Sequence, residues 1–431
     1  MSTFEVISAV IALVALCGYL NHRFIRLPDT IGITVIGLLV SLAMVGLGAA
    51  YPEIAARSQR LISGLDFPEL VFHGLLGLLL FSGSLHIDLA ALARARWTIL
   101  LLATVGVVLS TVFIGTAFFI GTRLLGAQLP LSDCLIFGAL ISPTDPIAAL
   151  GLLRKAGVPP TLLTKITGEA LFNDGTGVVV FLTLVGIASG TQSPDPWSVT
   201  ELLFREVAGG IGFGLALGLA GFWLLRGVDS YAVETLITLA MATAGYAVAE
   251  AAQVSAPIAA VVMGLVVGNH GRRYAMSEQT RQRLFNFWGL ADDLLNLLLF
   301  GLLGLQLMAL SASKRLVVGP ALLAIPIVLI ARAASVALPI LALRPFKRFE
   351  PHSVKLLTWA GLRGALSVAL ALSLPAGGSR DLIVAATYVV ALFSILVQAT
   401  TVHRLARRWA GAKSGATPPG DGHESSFAGE T

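Results

Sequence analysis

Asp145, Glu169, Asn173, Asp174, Arg332 and Arg363 stand inside stretches of sequence that are otherwise apolar. Carboxylates in such surroundings suit the binding and release of a small cation or a proton, because one partly dehydrated carboxylate holds either but not both. Asp145 belongs to the stretch Ile141-Ser142-Pro143-Thr144-Asp145-Pro146-Ile147. Its two prolines withdraw backbone donors and clash with preceding carbonyls, so a regular helix should stop there. Freed carbonyls, the Thr144 hydroxyl and the Asp145 carboxylate would then form an oxygen-lined site for a hard cation. In the plainer alternative Asp145 only caps the restarted helix.

Downstream, Glu169 and Asn173 share one helix face in Gly168-Glu169-Ala170-Leu171-Phe172-Asn173-Asp174-Gly175, with Asp174 about 100° round from Asn173. Thr161 to Thr167 precedes them and Val178 to Val185 follows in the same span, which places both carboxylates well inside it. A charge there costs roughly 2.5 to 3.5 kcal/mol on insertion scales, so such residues usually mark an ion path or a proton relay. Asp174 is the expected carrier of the cation or proton, and Asn173 adds no second negative charge beside it. Arg332 stays protonated and needs a buried acid. Glu169 is its expected partner, since a guanidinium on Asp174 would occupy the carboxylate that a cation needs. Arg363, in Gly361-Leu362-Arg363-Gly364, either compensates the carbonyl dipoles of a second helix break or snorkels toward water.

The elements that position these residues must be membrane helices. Of 431 residues, 56% are hydrophobic and 12% are charged, where a soluble chain carries roughly 25% charge. A water-facing surface cannot be covered with so few charges. Thirteen spans are expected, near 4–21, 30–48, 68–86, 97–122, 131–152, 161–188, 203–225, 231–249, 255–269, 288–310, 316–343, 353–373 and 381–403. An odd number puts the termini on opposite sides. Most of the 29 basic residues fall in the connections that are cytoplasmic when the N-terminus is outside. Asp292 and Asp293 are expected at the start of the tenth span, and residues 411–431 as a disordered cytoplasmic tail. The net charge of +5 then points to anionic phospholipid at the cytoplasmic face, and not to nucleic acid. Neither a phosphate-binding Gly-Lys loop nor a nucleophile constellation is present, so the chain reads as a transporter without a cofactor and not as an enzyme. Interrupted spans at 138–151 and 359–375 fall fifth in each of two six-span sets around the seventh, the pattern of an inverted-repeat transporter. A cation channel and a sodium-coupled carrier of small organic anions are the rival readings.

Thr144-Asp145 in a proline-broken span, Glu169, Asn173-Asp174, Arg332 and Gly361-Leu362-Arg363-Gly364 together resemble the monovalent cation:proton antiporters. The similarity is to their electroneutral sodium/proton exchanger branch, over roughly residues 5 to 405. It implies crossed, partly unwound spans five and twelve, with a core (68–188 and 288–403) moving against a dimerisation scaffold (4–48 and 203–269). It also implies a homodimer in the cell inner (plasma) membrane, and Na+, or Li+, exchanged for H+ at Asp174. Asp145 and Thr144 are implied as further ligands, Ser142 as a lesser one, and Glu169–Arg332 as an ion pair. Asn173, where electrogenic relatives carry Asp, implies one Na+ for one H+.

Overall fold

The computed structural model describes residues 3–50, 66–193, 195–306, 318–375 and 377–410. The expected tail lies outside them. The chain is all-helical: α1 Thr3–Leu20, α2 Asp29–Ala50, α3 Phe67–Leu85, α4 Leu89–Leu124, α5 Leu131–Ile141, α6 Ile147–Lys155, α7 Pro160–Ala188, α8 Pro196–Arg226, α9 Tyr231–Ala251, α10 Ala256–Val266, α11 Glu278–Leu305, α12 Val318–Leu343, α13 Ser353–Ala360, α14 Ala365–Leu372 and α15 Arg380–Trp409. Helices are the form that satisfies each backbone group internally, which hydrocarbon demands.

Among the described residues ten helices are long and apolar enough to cross a membrane, or eleven when α13 and α14, bent by 50°, count as one span. That is fewer than thirteen because a crossing takes about 20 residues, and two of the expected spans are shortened. The fifth is cut at its prolines, leaving 11 residues in α5. The ninth gives 11 residues in α10 before the backbone widens into a π-helical turn at Val267–Gly271. Conversely, α4 runs for 36 residues, about 54 Å, and starts before the expected 97. It bends at Thr104 (φ −111°, ψ −76°), whose hydroxyl donates to the Leu100 carbonyl at 2.7 Å. The tenth span also begins earlier, at Ser277, whose Oγ accepts the Thr280 N–H as a cap. Asp292 and Asp293 are therefore mid-helix in α11, a correction to their expected place at its start.

Packing divides the helices into two groups. In one, α3 lies on α10, α11 on α2, and α8 on α10. A Cβ on Gly268 would lie 2.9 Å from the Leu85 Cα, and one on Gly304 3.1 Å from the Gly37 Cα, so these helices meet backbone to backbone. In the other, α4 lies on α5 and α12, α12 on α15, and α7 on α4. The expected core had taken in 68–86 and 288–310. Yet α3 packs most extensively on α10, whose Gly264 faces Phe81 and Ser84, and α11 on α2, which its Gly301 and Gly304 face. Between the groups, α7 meets α10 where Gly175 faces Ile258.

The loop before α13 is fastened to the start of α7. Glu350 accepts from Lys165 Nζ at 2.7 Å and from Thr161 Oγ1 at 2.7 Å. Burial pushes the Glu350 carboxyl up, but the bonds from Lys165 and Thr161 prevail and hold it below the usual glutamate range. A depressed carboxyl contributes stability above its unfolded value, near 4.3, and that stability is lost as the pH falls through the folded value. Thermal unfolding in detergent followed from pH 7 to pH 3 should show a steeper acid loss in the natural chain than in Glu350→Gln. Parallel profiles would remove this linkage.

Candidate ion-binding site

Two helix breaks meet in the α4–α7 and α12–α15 group. The first separates α5 from α6 at residues 142–146, and the second separates α13 from α14 at 361–364. They are joined directly, since the Asp145 N–H donates to the Leu362 carbonyl at 2.9 Å. The two breaks thus cross through a backbone hydrogen bond.

Arg363 is 1% exposed, which removes the snorkelling alternative. Its Nη1 donates to the Ser142 carbonyl at 2.5 Å and to the Pro143 carbonyl at 2.8 Å. The Ser142 carbonyl loses its helical partner because Pro146 offers no N–H, and the Pro143 carbonyl loses its own because the Ile147 N–H goes to Asp145 Oδ1. The arginine of the second break therefore compensates the first. Arg332, from α12, donates Nη1 to Glu169 at 2.5 Å and Nη2 to the Leu357 carbonyl near the end of α13 at 3.2 Å. Glu169 is 1% exposed and Arg332 5%. Gly361 makes room for this guanidinium, because a Cβ there would lie 2.6 Å from Nε.

Asp145 and Asp174 are each only partly buried. Asp145 Oδ1 accepts the Ile147 N–H at 3.0 Å, so it caps α6 as the plainer reading has it. Its other oxygen turns toward Gly364, where a Cβ would lie 2.5 Å from Oδ2. Asp174 is half-buried, carries no hydrogen bond among the described residues, and is close enough to Asp145 for that charge to act on it. Asn173 faces the break instead. Its Nδ2 donates to Thr144 Oγ1 at 2.7 Å, and its Oδ1 accepts the Thr144 N–H at 3.3 Å. An amide does both where a carboxylate only accepts. Next to it, Gly177 lets α7 close on the Pro143 ring; a Cβ there would lie 2.9 Å from Pro143 Cδ. Ser142 is not brought to the carboxylates: its Oγ donates back to the Gly138 carbonyl at 2.6 Å and lies 3.3 Å from Thr111 Oγ1.

Asp145 and Asp174, within electrostatic reach of each other, and the fixed Thr144 hydroxyl thus lie beside two charge-compensated helix breaks. Residues 10–408 match the family described as sodium/hydrogen exchanger, transmembrane. The chain belongs to that family. Among exchanger relatives, it is 46% identical to the Na(+)/H(+) antiporter NhaP of Pseudomonas aeruginosa over 94% of this chain and 96% of that protein. It is 33% identical to the Na(+)/H(+) antiporter NhaH of Halobacillus dabanensis, over 90% and 93%. Its fold is that of the sodium proton antiporter MjNhaP1 from Methanocaldococcus jannaschii, with a TM-score of 0.73 at 19% identity over 95% of this chain and all of that one.

Three features of this exchanger's site escaped the sequence reading. The Leu362 carbonyl has no residue-type signature, because any side chain brings a carbonyl. Gly364 had a signal in its place inside the second break. Asp292 sits within electrostatic reach of both His86 and Asp145, and the early start of α11 moves it from the helix start to mid-helix.

The Glu169–Arg332 pair can be tested apart from transport. Removing either partner of a buried pair leaves an unpaired charge, at a cost of about 3–5 kcal/mol. Glu169→Gln and Arg332→Met should each lower detergent stability by that order, and the double variant by much less than their sum. Additive losses would mean that the two side chains are not coupled.

Proposed function

We propose that this chain exchanges Na+, or Li+, for H+ across the cell membrane, one for one, with both ions competing for Asp174. The observation that carries the reading is the half-buried Asp174 carboxylate, free of hydrogen bonds among the described residues, beside Asp145 where two broken helices cross. A partly dehydrated Na+ would be held by Asp174, Asp145 Oδ2 and Thr144 Oγ1, with Asn173 fixing Thr144 from behind. Ser142 falls outside this ring.

Charge balance favours the one-for-one coupling. Two buried arginines, Arg332 and Arg363, are counted against three acids, Glu169, Asp145 and Asp174, a balance of one negative charge on the empty site. One Na+ or one H+ neutralises it, while the empty site would carry its charge into a low dielectric and cross poorly. Exchange is thereby favoured over leak. No cofactor enters, because the ion gradients supply the driving force.

The moving core is assigned to α4–α7 and α12–α15 and the scaffold to α1–α3 and α8–α11, a division that follows the packing. Counting α5–α6 and α13–α14 as single broken spans and adding α10 gives thirteen crossings. They form two inverted six-span sets around α8, with the N-terminus outside and the C-terminus in the cytoplasm of a plasma-membrane homodimer bedded in anionic phospholipid.

Asp174→Asn should abolish Na+-dependent proton movement in proteoliposomes while the protein remains folded, and an imposed membrane potential should leave the natural exchange rate unchanged. Exchange at the natural rate by that variant would overturn the assignment of Asp174, and a rate that follows the potential would overturn the coupling.

Gly364→Ala crowds Asp145 Oδ2 and should raise the KM for Na+ by roughly tenfold, the effect of about 1.4 kcal/mol. An unchanged KM would take Asp145 out of the ring.

A further inference from the structure

Where α3 passes into α4, beside the end of α10 and the start of α11, a cavity of about 330 Å³ opens. It is lined by Arg272, Arg273 and Arg281 together with His86, Asp88 and Asn269. Arg281 is paired with Glu278. Arg272 and Arg273 form no ion pair among the described residues. Their guanidinium carbons lie 5.1 Å from the Phe285 ring centre and 5.5 Å from that of Tyr274, and neither fork donates to a protein acceptor among the described residues. Asp88 already spends Oδ1 on the Ala90 N–H at 2.8 Å. Here Arg272, Arg273 and Arg281 stand against Asp88 and Glu278, with Asp292 in reach of His86.

This corner is also a joint. Asn269 accepts the Leu89 N–H at 2.9 Å and donates to the Ile87 carbonyl at 3.0 Å and the Leu265 carbonyl at 2.9 Å, tying the α3–α4 connection to α10. By the packing, that connection runs from one helix group into the other.

We propose that the cavity is a binding site for a phosphate group, held by the forks of Arg272 and Arg273, and that its occupancy stiffens the α3–α4 joint and changes the exchange rate. Arginine forks match phosphate oxygens bidentately, and a space of this size takes a phosphate ester. The phosphate belongs either to a lipid headgroup or to a free anion in solution. Binding here stands on the cavity and not on the ion chemistry of Asp174, so Asp174→Asn should bind phosphate as the natural chain does.

The purified full chain is reconstituted in phosphatidylcholine alone, in phosphatidylcholine with phosphatidylglycerol, and in phosphatidylcholine with inorganic phosphate outside. Retained lipid is read by native mass spectrometry, bound phosphate by calorimetry, and exchange by a pH-sensitive dye. Arg272→Gln/Arg273→Gln should weaken binding by roughly tenfold or more and make the exchange rate insensitive to the ligand. Arg404→Gln/Arg407→Gln, a control for general surface charge, should change neither. Retained phosphatidylglycerol identifies the lipid as the source, and calorimetric binding of phosphate identifies the free ion. Equal binding by the natural chain and the cavity variant in every arm, or an equal loss in the control, would overturn the site. A natural chain whose exchange rate ignores bound ligand would overturn its action on the joint.

Discussion

A carbonyl that ends a helix inside hydrocarbon has no water to turn to, and this chain ends helices there twice. The centre of the molecule answers that constraint. Arg363 carries the Ser142 and Pro143 carbonyls, Arg332 carries that of Leu357, and Leu362 receives the N–H of Asp145. With the breaks satisfied in this way, backbone can open at membrane depth without being exposed to lipid. Asp145 and Thr144 hold their places because the segment between the prolines is bonded on both sides.

The same arginines set the electrostatics. A guanidinium brought in for a carbonyl carries a full charge, and Arg332 meets Glu169 for that reason. Arg363 has no carboxylate bound to it and lies within electrostatic reach of Arg332 and Glu169. Glycine has the complementary part, since Gly361, Gly364 and Gly177 leave room for Arg332, Asp145 and Pro143.

The charged residues were legible in the sequence because hydrocarbon makes a charge conspicuous. Asp145, Glu169, Asp174, Arg332 and Arg363 stood out against their neighbours, and Arg332 had to find an acid. The division of labour among their polar neighbours was less legible. Ser142 was implied as a lesser ligand by the family resemblance and Asn173 stood as the neutral neighbour of Asp174, but a serine inside a helix readily bonds back to the preceding turn, and the amide of Asn173 is bonded to Thr144. Helix limits were also displaced where polarity misleads. The amphipathic first turns of α11 lie beyond the apolar window, so Asp292 looked like a helix start. The grouping of α3 and α11 rested on glycine contacts that have no period to read.

Arg363 and the carbonyls that it serves are separated by 220 and 221 residues. While the chain is being made, the first break enters the membrane long before its compensating arginine is synthesised. Until then the Ser142 and Pro143 carbonyls must be met by water or by a temporary neighbour. Contacts so distant in sequence close late and slowly. The ion site is therefore a product of the finished chain, and a protein truncated before α13 would be held in the membrane by its first helices yet have no site to offer.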